Sequence, residues 1–140
     1  MLEFADYYPK HLSGGMKQKA VFARILASNY KILLMDEPFS NLDAQTRLLM
    51  QEELLKIWKI SQLTVLFVTH NIEEAIFLST KIILLSSIPT RVLRIIDIDL
   101  PQPRTHKIWS TSRFNEIKIH IWRIIKKELS IFKNTELDIT

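Results

Sequence analysis

Apolar positions along this chain change their period several times, and each change marks an element. Residues 13–26 suit a helix, with Val21, Ile25 and Leu26 on one apolar stripe. Lys31-Ile32-Leu33-Leu34-Met35 is an apolar run too short for a helix of its own and reads as a buried strand. Pro38 cannot donate to a sheet ladder and ends it. Asp43 then fits an N-cap for a helix running to about Ile60, and residues 63–68 read as a second buried strand. Asn71, with Glu74 three residues on, predicts a capping box for a helix through Leu78. Residues 81–85 read as another buried strand, and residues 92–98 pair with it across a turn at 86–90 that lacks the usual glycine. Pro101-Gln102-Pro103-Arg104 marks a linker. Beyond it Phe114, Ile117, Ile121, Ile124, Ile125 and Leu129 recur at helical spacing, with Lys118, Arg123, Lys126 and Lys127 interspersed. A basic amphipathic helix suits a membrane surface, but packing of its apolar stripe on its own domain is the simpler reading.

Composition narrows the class. The chain has 140 residues, one domain's length, and its 47% hydrophobic share can support a core. The absence of cysteine excludes disulfide and thiol chemistry. No run approaches the roughly 20 apolar residues needed to span a bilayer, and the start lacks a basic-then-apolar signal pattern. The net charge of +4 permits weak contact with anionic lipid or nucleic acid, although a solvated surface is the simpler reading.

Candidate chemistry begins at His11-Leu12-Ser13-Gly14-Gly15-Met16-Lys17-Gln18, which holds both glycines of the chain. Gly14 and Gly15 let backbone come close to a ligand, where the first helical turn leaves N–H groups without internal partners. Such a terminus suits an anion, most often a phosphate; taken alone, Ser-Gly-Gly is more often a flexible helix start. The strand that follows ends in Asp36-Glu37, two carboxylates at the end of a parallel strand, where open α/β sheets bind ligands. Strand alternation makes the two acids diverge. One can hold Mg²⁺ through water, and the other can orient or deprotonate an attacking water. His70, between a strand end and a helix start, is on its own an ordinary loop residue; after these two motifs it reads as a polar contact to a terminal phosphate.

Together these segments resemble the ATP-binding subunits of ABC transporters. Leu12-Ser13-Gly14-Gly15-Met16-Lys17-Gln18 resembles their signature motif and residues 32–37 their Walker B strand with its catalytic glutamate. Residues 40–43 resemble the D-loop and His70 the switch histidine. Met16, Met35-Asp36-Glu37-Pro38-Phe39, residues 54–58, residues 68–75 and Leu100-Pro101-Gln102-Pro103-Arg104 are similar to the nitrate/sulfonate/taurine importer branch. Ser40-Asn41 stands where that branch more often has Gly-Ala, and Asn71 where it often has Asp; neither change removes a phosphate or metal contact.

The resemblance implies the C-terminal part of a P-loop NTPase fold, an incomplete α/β layer with a mainly parallel sheet and flanking helices. Residues 1–100 would carry the ATPase motifs, and 101–140 a linker and an amphipathic helix. It implies ATP and Mg²⁺ as ligands. Ser13, Gly14, Gly15, Gln18 and Asp43 would face nucleotide, Asp36 would bind the metal through water, and Glu37 and His70 would be catalytic. It further implies a second ATPase subunit as dimer partner, an integral membrane permease and, indirectly, a solute-binding protein. The expected place is the inner face of the cell membrane, peripheral and cytoplasmic, with no nucleic acid involved. The Gly-x-x-x-x-Gly-Lys phosphate cradle is excluded by counting, since both glycines are used. The isolated chain is therefore expected to be inactive. Its roles divide between half of an importer ATPase for a small anion, a non-catalytic module lending its signature helix, and an inactive remnant. A DNA-repair or chromosome ATPase fits less well, because no coiled-coil heptads occur. In the family's sheet the switch-histidine strand neighbours the Walker B strand, and the strand at 81–85 lies beyond a P-loop strand.

Overall fold

A computed structural model describes residues 7–27, 30–61 and 63–137; within these, the side chains of Pro9, Gln18, Ile25, Leu26 and residues beyond Ser130 lie outside the description. The chain divides into two compact units, one ending at Val68 and the other starting at Thr69.

The first unit contains α1 (Gly14–Ala27), β1 (Ile32–Asp36), α2 (Ala44–Ser61) and β2 (Thr64–Val68). β1 and β2 pair in parallel, from Ile32 opposite Thr64 to Asp36 opposite Val68. Parallel neighbours need a long crossover, and α2 supplies it. This adjacency is the one the family's sheet implies. Met35 from β1, Phe22 from α1 and Met50, Leu54, Leu55 and Ile57 from α2 are buried, together with Phe39 and Leu63 in the connections. The Phe39 and Phe67 rings lie 5.8 Å apart. Each such side chain contributes roughly 1.5–3 kcal/mol on burial.

Two expectations need correction here. The strands are buried on one face only: Ile32, Leu34, Leu66 and Val68 share the opposite face and are each more than half exposed. No layer among the described residues of the first unit covers that face, so hydrophobicity on both sides of the strands reads as burial but meets none here. The buried side chain of α1 is Phe22, whereas Val21 is exposed; Ile25 and Leu26 lie outside the described side chains. Gly15 and Phe22, seven residues apart, share one helix face.

The second unit contains α3 (Ile72–Leu78), β3 (Lys81–Leu85), β4 (Val92–Asp97) and α4 (Ser112–Leu137). β3 and β4 form an antiparallel hairpin with an irregularity at Leu84/Leu85, and among the described residues they make a sheet separate from β1–β2. β3 is not the buried strand expected: Ile82 is buried, but Ile83 and Leu85 on the other face are exposed. Ser86 replaces the missing turn glycine: its N–H donates to the Arg91 carbonyl at 2.9 Å, and its Oγ accepts from the Arg91 N–H at 2.9 Å. Ile76, Ile82, Ile98, Leu100, Phe114, Ile117 and Ile121 form one core. The apolar stripe of α4 thus packs on its own unit, which also holds residues 98–104.

Arg104 anchors that packing. It is 4% exposed. Its Nη1 donates to the carbonyls of Ile76, Phe77 and Ser79 at 3.0, 3.1 and 2.6 Å, and its Nη2 to that of Leu100 at 3.2 Å. The last carbonyls of a helix have no internal donors and carry partial negative charge. Arg104 caps α3 from more than twenty residues away in sequence, and burial pulls its pKa below the usual guanidinium value. No helix among the described residues is long and apolar enough to cross a membrane.

Candidate functional site

Ser13 opens α1 as its cap: its Oγ accepts from the Met16 N–H at 3.3 Å and its carbonyl from the Lys17 N–H at 2.9 Å. Gly14 and Gly15 form the first turn, and neither has a positive φ. Their value lies in steric room rather than in unusual backbone. A Cβ on Gly14 would come within 3.2 Å of Leu42 Cδ2, and one on Gly15 within 2.9 Å of Thr46 Cγ2. The glycines therefore let the start of α1 lie against the start of α2. Asp43 caps α2, accepting from the Thr46 N–H at 3.0 Å, and hydrogen bonding with Thr46 holds its carboxyl below the usual range. Arg47 Nη2 donates to the Leu42 carbonyl at 3.0 Å and fixes the same turn. Ser13, Gly14, Gly15 and Asp43 are thus brought together through Leu42, inside the segment 40–43, and through Thr46, which sequence reasoning missed. The only signal was that a glycine pair on a helix face needs a close neighbour. The side chain of Gln18 lies outside the described ones.

β1 ends at Asp36, whose side chain is exposed. The Glu37 N–H adds one more rung, donating to the Val68 carbonyl at 2.9 Å, yet its φ is +42°, in the left-handed region. The strand pairing thus runs one residue past Asp36, and the chain leaves the ladder at Glu37 through a left-handed residue. A non-glycine residue held there costs about 1–3 kcal/mol and persists only where its surroundings enforce it. Ser40 does so, its N–H and Oγ donating to the Glu37 carbonyl at 3.1 and 2.9 Å, with Phe39 buried between them in sequence. Glu37→Gly should accordingly be more stable than Glu37→Ala by about 1 kcal/mol in urea unfolding. Equal midpoints would show that the backbone carries no strain.

Asp36 lines an open cleft of about 600 Å³ with Val21, Arg24, Tyr30 and Pro38. No three metal-ligating side chains gather in one place among the described residues. A hard cation at Asp36 would therefore complete its shell with water and ligand oxygens, which suits Mg²⁺. The amide end of α1 suits phosphate oxygens.

His70 is the second residue of the second unit, exposed, just before the Asn71 cap of α3. The Glu74 N–H donates to Asn71 Oδ1 at 3.1 Å, as the capping box predicts. Thr69 closes the return arm: its Oγ1 accepts from the Asn71 N–H at 3.1 Å and donates to the Glu74 carboxylate. His70 thus sits in a turn tied on both sides.

The family model for ABC transporters matches residues 2–40. An uncharacterized ABC transporter ATP-binding protein of Methanocaldococcus jannaschii is 47% identical over 126 residues, 90% of this chain and 46% of that protein. An aliphatic sulfonates import ATP-binding protein of Bacillus cereus is 44% identical over 115 residues, 82% of this chain and 45% of that protein. A nitrate import ATP-binding protein of Synechocystis is 46% identical over 114 residues, 77% of this chain and 43% of that protein. The chain spans about half the length of the curated relatives it matches.

Proposed function

Since the chain belongs to the ABC transporter family of ATP-binding proteins, we propose that it serves as the signature-bearing and water-activating portion of an importer ATPase for a small anion such as a sulfonate, taurine or nitrate. The observation that carries this reading is the left-handed Glu37 at the end of β1. Backbone strain held at a strand end beside a second carboxylate is a mark of a site rather than of packing. Bound Mg²⁺ATP supplies the scissile phosphoanhydride, with the metal neutralising phosphate charge. Glu37 orients and deprotonates the attacking water, and Asp36 holds the metal's hydration shell. His70 donates to the terminal phosphate. Ser13, Gly14, Gly15 and Gln18 face nucleotide gripped by a second ATPase subunit, and Asp43 sets the turn between them. Residues 1–100 carry these motifs and 101–140 the linker and closing helix. A membrane permease, fed by a solute-binding protein, places the assembly at the inner face of the membrane.

Because the 140 residues contain only Gly14 and Gly15, the β- and γ-phosphates have no cradle within this chain. The chain alone should show no steady ATP hydrolysis. Co-expressed with the N-terminal half of a related importer ATPase subunit, it should give Mg²⁺-dependent phosphate release. Hydrolysis by the chain alone that Glu37→Gln abolishes, or a stable two-part complex that stays inert, would overturn the reading. The same glycine count favours a second role, lending the signature helix to an intact subunit. A purified mixed dimer would then trap one nucleotide rather than two.

A further inference from the structure

The apolar stripe of α4 that packs inward leaves another outside. Ile119, Trp122 and Leu129 are 50%, 55% and 47% exposed, and spacings of three and seven put them on one flank of the helix. Lys126 falls on the same flank, with Arg123 and Lys127 exposed beside it. The described carboxylates of α4 that could offset these cations are engaged elsewhere: Glu116 with Arg113 at 3.1 Å and Glu128 with Arg91 at 3.6 Å. The flank is thus both apolar and positively charged, while the described carboxylates of its own helix pair with Arg113 and Arg91. Helices that combine Lys and Arg with exposed Trp and Leu lie in the boundary between headgroups and acyl chains. The Trp ring suits that boundary, being apolar with one polar edge.

We propose that this flank of α4 docks on an anionic phospholipid surface. Trp122, Ile119 and Leu129 enter the headgroup boundary, while Arg123, Lys126 and Lys127 face lipid phosphates. The apolar residues are spread along two to three turns of one flank rather than gathered in a pocket, which fits a lipid plane better than a protein anchor. This docking needs no nucleotide and stands apart from the ATPase reading.

Sedimentation with vesicles tests it. The 140-residue chain should bind vesicles of phosphatidylcholine mixed with phosphatidylglycerol, bind pure phosphatidylcholine far more weakly, and be released by high salt. Trp122→Ser should weaken binding about tenfold. Lys126→Glu with Lys127→Glu should weaken it about twentyfold or more, near fivefold for each charge lost. Lys56→Glu with Lys59→Glu, the same charge change placed on α2, should leave it nearly unchanged. These side chains are exposed, and circular dichroism would verify that each variant keeps its helices. No preference for phosphatidylglycerol, an equal loss from the α2 pair, or indifference to Trp122→Ser would overturn the proposal. So would a vesicle-free dimer that Trp122→Ser dissociates, which would make a second copy the occupant.

Discussion

Replacing Arg104 with methionine is expected to destabilise the second unit by about 3–5 kcal/mol. The side chain keeps its apolar length but strands the carbonyls of Ile76, Phe77, Ser79 and Leu100, which its guanidinium satisfies. Three of these lie at the end of α3, where partial negative charge gathers and a buried cation is worth most. Against a typical net stability of about 5–15 kcal/mol, that loss consumes much of the margin. Arg104→Lys should recover less than half of it, because one ammonium cannot reach both the helix end and Leu100 as a planar fork does. Urea unfolding followed by circular dichroism measures both variants. A methionine variant within about 0.5 kcal/mol of the parent would assign the capping elsewhere.

In the reassembled ATPase, Glu37→Gln should slow turnover about 10²–10⁴-fold, the usual share of a positioned acid–base group. The amide keeps the size of the side chain and leaves the Ser40 bonds to the Glu37 carbonyl in place. What it loses is the ability to accept a proton from water. A group that acts only in the transition state lowers kcat with little change in KM, and initial rates across nucleotide concentrations separate the two. Asp36→Asn should instead raise the Mg²⁺ concentration needed for half-maximal rate. An unchanged kcat in Glu37→Gln would remove that residue from the chemistry.

Local order was legible in the sequence; long-range order was not. β1, β2, the β3–β4 hairpin and α1 to α4 follow from period and capping, and Asp43 and Asn71 cap their helices as their spacing predicts. The inward stripe of α4 was also readable, because Phe114, Ile117 and Ile121 recur at helical spacing. Arg104 was not: Pro-Gln-Pro-Arg reads as a linker, and its role depends on carbonyls that only tertiary folding brings within reach. The left-handed Glu37 was hidden for a related reason. Nothing in Asp-Glu-Pro-Phe signals a left-handed residue, since no glycine marks it and the Ser40 hydrogen bonds come from outside it. The open face of β1–β2 escaped because apolar runs report a tendency to be buried, not whether a layer is there to bury them. Among the candidate residues, the acids and the Ser-Gly-Gly turn were found as motifs, while the contact joining that turn to α2 could not be.

That contact has a consequence for how the chain tolerates inherited change. Gly15 and Thr46 compete for the space of a single methyl group, since a Cβ at one would lie 2.9 Å from the other's Cγ2. The two codons are therefore tied by volume, although they lie more than thirty positions apart. Alanine at 15 would burden a chain with threonine at 46 and sit easily in one with serine there. A lineage could exchange the pair, but only in the order that shrinks Thr46 first.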